Sequence, residues 1–505
     1  MTVPGALALS ALFLMTAPAL GAQLISIKTV PIAQGDQFNV FPSLNQGMGG
    51  VAIGLPDTLL DPFRNPAKGG RLSIARFFGS PMVYGVSNDA GGGRTLPVAA
   101  IAPLGSWFGG LSLAVQEVDP SRPPGSVRMG PPPPGVVVRG PLPIVVTPPA
   151  PESHGNAYVF ALVGKTLPKQ QVSLAASFSW ARLNAMDGVD LLYPGSQSIN
   201  QFGHEVDVRA GLLKEWAGDR ALDAVVLHNH VGMSQDVSYL DLFWDPGTQS
   251  VQQRGRVDHE LDRTDTWGLA LQYARPLTAS GWRIGWLATG NLMSHPKIPN
   301  YELMNIPRDP GHSHAYQVGV GVARVSGPAT FGLDAVYEPI WSDTWAAAAA
   351  PTATGAGDTI PVGGKTIENR FHFSNFQFRM GIGRDIVLGG RPRGATWQLG
   401  LAAHTVHYWL VQSDFVQSAV RPQEEWWVEW TPTWGLTLRF PELELRYNGR
   451  VTKGTGRPST QSTPTFLADA AGVRSGDLLV APSGPITLQG VSVVTHQISL
   501  SLPLH

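Results

Sequence analysis

The sequence predicts an all-β protein, a transmembrane antiparallel β-barrel, on three observations. Segments of about ten residues alternate between an apolar face and a small or polar face, the period of a β-strand. The gaps between them alternate between short and long, so that one rim would carry tight turns and the other long loops. No segment after the first 22 residues reaches the roughly 18 uninterrupted apolar residues of a transmembrane helix. A soluble all-β fold, the alternative, has no reason to alternate its gaps so regularly.

The amino-acid composition narrows the possible class of protein further. Only 14% of the 505 residues are charged, against roughly 25% in soluble proteins, and 58 Gly with 43 Pro disfavour a helical membrane bundle. A net charge of -1 gives no reason to expect a nucleic-acid partner. The chain has no Cys, which excludes disulfide frameworks, thiol catalysis and Cys-based metal sites.

Residues 1–22 are predicted to be a secretory signal peptide. Ala6–Met15 is mostly apolar, and Thr16–Ala22 supplies small residues for cleavage. The alternative is a buried N-terminal helix. We therefore expect export to the outer membrane of a Gram-negative-type envelope, with residues 23–70 as an N-terminal segment and residues 71–505 as the barrel.

The strand from Trp397 illustrates the predicted faces. Trp397, Leu399 and Trp409 share one face, while Gln398, Gly400 and His404 share the other. The two Trp are separated by about 40 Å along a strand, which a tilt near 45° reduces to roughly the spacing of two aromatic girdles. Apolar faces should therefore contact lipid. Charged residues on the other faces are predicted to line the lumen: Glu205, Asp207, Arg209, Glu444 and Arg446.

Sixteen candidate strands follow Arg71, joined by unequal gaps. Tight turns are predicted at 104–106, 166–170, 215–219, 276–280, 326–327 and 440. Long extracellular loops are predicted at 118–155, 232–263, 340–368 and 453–490.

One strand changes phase along its length. Phe371 and Phe373 occupy odd positions, whereas Phe376 and Phe378 occupy even ones. We interpret the change at Ser374–Asn375 as a β-bulge, which would either adjust the twist or open a lateral gap in the wall.

A Gly-rich stretch that ends in Asn-Pro-Ala precedes the first strand. Glycines permit close backbone packing and positive φ, and an Asn before Pro favours a turn and can bond to neighbouring backbone groups. These properties suit a compact plug better than catalysis, although a flexible periplasmic leader is the alternative. The candidate hatch or gate residues are Gly47, Gly49, Gly50, Asp57, Asn65, Pro66 and Ala67.

The order of Gly47–Gly50, Asp57 and Asn65–Ala67 resembles that in the FadL-type transporters of hydrophobic compounds and the related PorV-type barrels. The motif spans about 25 residues, and Asn65–Lys68 resembles the PorV branch most. The resemblance implies a hatch inside or below the lumen, and fourteen strands. We expect fourteen strands, with sixteen, the number of candidates, as the alternative.

Catalytic and metal-binding signals are weak, so we expect no enzyme, no metal and no cofactor. His228 and His230 share a strand face but have no predicted third ligand. A membrane-embedded hydrolase would need Ser and His together, yet His496 and Ser499 fall on opposite faces of one strand.

The FadL resemblance implies passive transport of a hydrophobic or amphipathic small molecule, such as a long-chain fatty acid or a hydrocarbon. Its partners would be outer-membrane lipid and the hydrophobic ligand. The PorV resemblance implies the alternative, a scaffold that binds protein-secretion machinery.

Overall fold

The chain forms a closed barrel whose wall consists of antiparallel β-strands. A computed structural model describes residues 37–87, 91–119, 128–129, 153–187, 196–245, 248, 250–277, 281–295, 298–300, 306–308, 311–348, 350–458 and 488–504. The predicted signal peptide and most of the predicted loops 118–155 and 453–490 lie outside these residues. The strands are β1 Ala75–Gly79, β2 Met82–Val86, β3 Gly92–Leu104, β4 Trp107–Asp119, β5 Arg128–Met129, β6 His154–Leu167, β7 Val172–Leu183, β8 Ser196–Trp216, β9 Arg220–Asp245, β10 Ser250–Pro276, β11 Trp282–His295, β12 Ile298–Asn300, β13 Ile306–Arg308, β14 Gly311–Ser326, β15 Ala329–Ala347, β16 Thr352–Ala353, β17 Thr359–Ile360, β18 Lys365–Val387, β19 Gly394–Asp414, β20 Ala419–Arg439, β21 Glu444–Pro458 and β22 Leu488–Leu504.

Helices are short wherever the chain is described. They are the 3-10 helices Gln46–Met48 and Pro66–Arg71 and the α-helix Asp61–Arg64. None of these has the length and apolar character needed to cross a bilayer.

The wall has sixteen strands. It closes because β1 and β2 both pair with β22 on one side and with β3 on the other. β1 and β2 occupy a single position in the wall, and β5 attaches only to β9. The all-β antiparallel barrel is thus confirmed, but the expected count of fourteen is wrong and the alternative of sixteen is correct.

The first strand is broken at Ser80–Pro81, the point that separates β1 from β2. Pro81 has no N–H to donate to the ladder, although its carbonyl still accepts a hydrogen bond from Ile498 at 3.0 Å. The register with β3 is the same on both sides of the break, since Gly79 pairs with Val98 and Met82 with Thr95. The chain after Arg71 therefore enters the barrel wall, where β1 and β2 together form one broken strand.

Tight connections gather at one rim, as predicted. They comprise residues 105–106, 168–171, 217–219, 277–281, 327–328, 388–393 and 440–443. We call this the turn rim and the opposite one the loop rim. Three connections at the loop rim are also short, because residues 87–91 separate β2 from β3, residues 246–249 separate β9 from β10, and residues 415–418 separate β19 from β20.

The predicted loop 232–263 is wrong, because β9 and β10 continue through it. The two strands pair from Ser250 and Asp245 down to Ala274 and Ala221, over about 85 Å of strand length. Polar and charged residues interrupt the apolar alternation in this stretch, which suggested a loop, but a backbone ladder between two strands needs no continuous apolar face. Asp236 and His259, directly opposite each other, even bond across it at 2.7 Å. The predicted loop 340–368 is likewise shorter, since β15 reaches Ala347 and β18 begins at Lys365.

The two faces of the wall differ as predicted. Lumen-facing positions are identified by contact with residues 37–74, which we call the N-terminal segment. On β19, for example, Gln398 donates to the Leu44 carbonyl of this segment, whereas Leu399 and Trp409 point away from it. Large apolar side chains on the outer face are exposed by roughly half, as Val115, Val226 and Leu436 illustrate. An apolar outer surface on a closed barrel suits contact with lipid.

The predicted β-bulge at Ser374–Asn375 is wrong, because no residue is inserted there. Phe373 pairs with Tyr408 and Phe376 with Thr405, which is the same register on either side. The phase change arises because Phe371 and Phe373 face the lumen while Phe376 faces outward. An apolar lumen-facing patch, not an extra residue, explains the pattern.

Candidate functional site: the barrel lumen

The N-terminal segment is folded around the carboxylate of Asp57. This carboxylate, buried in the segment, accepts hydrogen bonds from the Ser43 hydroxyl at 2.5 Å and from the Leu44 amide at 2.9 Å. It also accepts from the amides of Leu59 and Leu60 at 3.2 and 3.1 Å. One side chain therefore joins two turns that are more than ten residues apart, which makes the segment compact.

Gly47, Gly49 and Gly50 serve two different purposes. A Cβ on Gly47 would lie 2.7 Å from the backbone nitrogen of Gly435 on β20, so only glycine allows this approach. Gly49 combines a φ of +74° with a similarly close wall contact. Gly50 has a φ of +73° but no close neighbour, so it is required only by its conformation.

The Asn-Pro-Ala element ties the segment to the opposite side of the barrel. The Asn65 side chain accepts from the Ala67 amide at 3.0 Å, and so caps the helix Pro66–Arg71. Its amide nitrogen donates to the Leu212 carbonyl of β8 at 3.2 Å. Gly211 permits this contact, since a Cβ there would lie 2.2 Å from the Asn65 oxygen.

A buried charge cluster lies beside this element. Lys68 contacts Asp223 of β9 at 3.2 Å and Asp61 at 3.6 Å. Burial raises the pKa of Asp61. For Lys68, burial acts to lower the pKa, but the charges of Asp223 and Asp61 together outweigh it and the pKa is raised. The ammonium of Lys68 therefore links the segment to the wall through charge.

Further wall residues hold the segment, and sequence reasoning missed them. Asp334 of β15 accepts from the amides of Ala52 and Ile53 at 2.7 and 3.2 Å. Gln272 of β10 donates to the carbonyls of the same two residues at 3.1 and 3.0 Å. Thr433 of β20 accepts from the Gly49 amide at 2.9 Å. The sequence signal that could have identified them is a single polar residue among small residues on the lumen-facing side of a strand.

The predicted lumen-lining charges all face inward. Arg209 pairs with Asp207 at 2.6 Å and donates to the Arg64 carbonyl at 3.2 Å. Glu205 accepts from Asn229 at 2.8 Å. Arg446 bonds to Glu444 on its own strand and to Thr437 at 3.2 Å. Each of these side chains is hydrogen-bonded or ion-paired to another lumen-facing group, so together they form a fixed polar lining.

The lumen also contains two apolar clusters that the sequence did not predict. The lower aromatic cluster joins the stacked rings of Phe41 and Phe63, 3.9 Å apart, to three wall residues, Phe78, Phe108 and Phe160. The N-terminal segment thus covers this patch with its own aromatic rings.

The upper apolar cluster is built from the wall alone. It extends over six strands and contains Met293, Ala315, Ile340, Phe373, Val406, Tyr408, Leu410 and Trp427, with Phe371 packed against it. Ring centroids lie 5.4 Å apart for Phe373 and Tyr408 and 6.4 Å apart for Tyr408 and Trp427. On β18, Phe373 lies about 26 Å along the strand from Gly381, which contacts the N-terminal segment. The cluster is therefore nearer the loop rim.

A polar layer separates this cluster from the N-terminal segment. Glu338 of β15 is bound by the amides of Gln317 and Gln377 and by His404 at 3.2 Å. His404 in turn lies 4.0 Å from Glu429 of β20. Along β15, β18 and β19 the lumen face thus changes from apolar at the upper apolar cluster to polar and charged nearer the turn rim.

The wall is locally weakened beside the upper apolar cluster, at the predicted position Ser374–Asn375. The β18–β19 ladder has no backbone pairing between these residues and Val406–His407. Side chains replace it: the His407 amide donates to the Asn375 side chain at 3.1 Å, and the Phe376 amide to the Thr405 hydroxyl at 3.0 Å.

The histidines singled out in the sequence face outward. His230 bonds to Asp265 at 2.7 Å, and His228 lies 3.7 Å from the same carboxylate. Among the described residues, no group of three His, Asp or Glu is placed to hold a metal ion. His496 faces outward and bonds to Tyr447 at 2.9 Å, while Ser499 faces inward.

No protein-family model and no curated protein matches the chain. Solved structures do. A FadL homologue of Pseudomonas aeruginosa is 10% identical, with 94% of this chain and 100% of that one covered and a TM-score of 0.41. The toluene transporter TbuX of Ralstonia pickettii is 10% identical, with 93% and 100% covered and a TM-score of 0.37. The toluene transporter TodX of Pseudomonas putida is 11% identical, with 91% and 97% covered and a TM-score of 0.36. The solved structures to which this chain is similar thus include a FadL homologue and two toluene transporters.

Proposed function

We propose that the chain is an outer-membrane passive transporter for hydrophobic or amphipathic small molecules, such as long-chain fatty acids or hydrocarbons. The upper apolar cluster is the observation that carries this proposal. Aromatic and aliphatic side chains facing a lumen are unfavourable next to water, and here they are at most 8% exposed because they cover one another. An apolar ligand would join this cluster by packing among the same side chains. A ligand entering from the loop rim would meet this cluster before the polar layer.

The N-terminal segment would act as the hatch. It contacts the wall on opposite sides, at β8 and β9 through Asn65 and Lys68 and at β15 and β20 through Asp334 and Thr433. An axial path to the turn rim therefore requires the segment to move. Its many polar anchors make that movement costly, which favours a second route.

The second route is lateral, through the weakened β18–β19 ladder. Phe373 and Val406 belong to the upper apolar cluster and immediately adjoin this point. Opening there breaks side-chain hydrogen bonds in place of a continuous backbone ladder, and it leads directly to lipid.

The function is tested with a matched pair of variants on β18. Phe373→Ala removes an aromatic ring from the cluster, and Phe376→Ala removes one from the outer face of the same strand. The readout is accumulation of the apolar fluorophore N-phenyl-1-naphthylamine by intact cells that carry equal amounts of folded barrel. We expect the first variant to reduce uptake several-fold and the second to leave it near the wild-type rate. Equal uptake by both variants, or no uptake above that of cells without the barrel, would refute transport through the cluster.

The route is tested by joining β18 to β19. Ser374 and His407 are directly opposite each other in the register and both face outward, so Ser374→Cys with His407→Cys should form a disulfide. Because the chain has no Cys, this would be its only one. Oxidation should lower uptake and reduction should restore it if the lateral route operates. Unchanged uptake on oxidation would favour movement of the hatch. The secretion-scaffold alternative has no comparable support among the described residues.

A further inference from the structure

Two carboxylates flank Trp427 on the lumen face of β20. Glu425 and Glu429 are the next lumen-facing residues on either side of it, about 7 Å away along the strand. The Trp427 indole nitrogen donates to Glu429 at 3.4 Å. Glu425 accepts from the Gln423 amide at 2.8 Å, and the same amide nitrogen lies 3.4 Å from the Tyr408 hydroxyl. The polar atoms bordering the aromatic part of the cluster are therefore mostly hydrogen-bond acceptors.

The cationic side chains of neighbouring positions are His404, Arg421 and Arg450. His404 lies between the carboxylates of Glu338 and Glu429. Arg421 lies on the same face of β20, four residues from Glu425 toward the loop rim, and its charge acts on the Tyr408 hydroxyl together with that of Glu425. Arg450 of β21 pairs with Thr433, nearer the turn rim. Along the lumen face of β20, the residues next to Trp427 are thus both carboxylates, Glu425 and Glu429.

We infer that the upper apolar cluster prefers ligands whose polar end donates hydrogen bonds and carries no negative charge. Alcohols, phenols and amines with a large apolar part meet this description, whereas a fatty-acid anion does not. An ionised carboxylate only accepts hydrogen bonds, so a donor satisfies it, while a second carboxylate is repelled in a site of reduced dielectric. This inference rests on the proposed function and narrows its substrate class.

The test uses three ten-carbon probes that differ only in the polar end: decanol, decylamine and decanoate. Each displaces N-phenyl-1-naphthylamine from the purified full chain in a neutral detergent at pH 7. For each probe, the apparent affinity for the variant is divided by the apparent affinity for the wild type. Partitioning of the probe into micelles cancels in this ratio. The variants are Glu425→Gln with Glu429→Gln, Glu425→Gln alone in case the double variant fails to fold, and the control Glu424→Gln, whose side chain faces outward.

Loss of both charges should strengthen decanoate binding about tenfold and weaken decylamine binding by a similar factor, which corresponds to about 0.7 kcal/mol for each of the two charges. Binding of decanol should change less than twofold. Glu425→Gln alone should shift the binding of decanoate and decylamine in the same directions but by less, and Glu424→Gln should not shift it. If all three ratios stay at one, the preference for donors is refuted although the cluster still binds. If the fluorophore does not bind the wild type, or binds Phe373→Ala equally well, the proposed function itself fails.

Discussion

Asp334 is the wall residue whose loss should most clearly release the N-terminal segment. Asp334→Ala removes two hydrogen bonds to the amides of Ala52 and Ile53, at 2.7 and 3.2 Å. The change leaves both amides without these acceptors at a site where Ile53 is buried. It leaves the backbone of the barrel untouched, because Asp334 pairs through its main chain with Gly321 and Arg379.

The expected magnitude follows from these two bonds. A hydrogen bond to a charged acceptor contributes about 1.5–3 kcal/mol, so losing two should cost the docked segment about 3 kcal/mol or more. Each 1.4 kcal/mol changes an equilibrium constant tenfold, so the population with the segment undocked should rise about 100-fold. Gln272 would still hold the carbonyls of Ala52 and Ile53, which limits the effect to this part of the segment.

Hydrogen exchange of the Ala52 and Ile53 amides measures this opening directly. In the variant both amides should exchange about 100-fold faster, while the amides of the β14–β15 ladder keep their wild-type protection. Asp265→Ala is the control, since Asp265 faces outward and bonds to His230. Exchange that is unchanged at Ala52 and Ile53 would refute the assignment of Asp334 as an anchor. Faster exchange in the control by the same factor would refute it as well.

Two further contacts should hold the N-terminal segment to the barrel wall. Lys68→Met should leave Asp61 and Asp223 buried without their cation, and limited proteolysis should then cleave the segment at a protease concentration at least tenfold lower, since breaking a buried ion pair costs about 3–5 kcal/mol. An unchanged cleavage pattern would contradict the role of this ion pair. Gly400→Val should displace the segment from β19, because a Cβ there would lie 2.2 Å from the Gly49 nitrogen, and the thermal unfolding midpoint should fall. Gly255→Val, at a position with open space around it, should leave that midpoint within a degree or two, and equal shifts for both variants would contradict the packing argument.

The outward faces could be predicted from the sequence because the rule that sets them is local. A strand in a barrel wall alternates its side chains between two environments, so Trp397, Leu399 and Trp409 identify the lipid face without knowledge of their neighbours. The same rule predicted that Glu205 and Asp207 lie on the opposite face, and the structure places both side chains buried inside the barrel. The tight turns followed from short gaps between such strands.

The upper apolar cluster could not be predicted by that rule. Treating every apolar residue as lipid-facing turned the change of phase after Phe373 into a bulge. The observation was correct, but its cause was an apolar lumen, which depends on residues of six strands that are far apart in the chain. The long polar strands β9 and β10 were missed for a related reason, since backbone pairing outside an apolar environment leaves no hydrophobic pattern.

The N-terminal motif Asn65–Ala67 shows what a local sequence pattern can predict and what it cannot. Asn65, Pro66 and Ala67 were recognised as a turn that could bond to neighbouring backbone, and the cap on Ala67 is of that kind. Their partners Leu212 and Asp223 lie more than 140 residues away. Such contacts are set by the closure of the barrel, so a local reading can identify the motif but not where it docks.

We expect an apolar molecule to occupy the lumen at the upper apolar cluster. The most direct test is a structure of the full chain soaked with a brominated aromatic hydrocarbon, in which anomalous scattering locates the bromine. We predict a bromine peak in contact with Phe373, Tyr408 and Trp427, and its loss in Phe373→Ala. Bromine found only on the outer, lipid-facing surface would contradict the account.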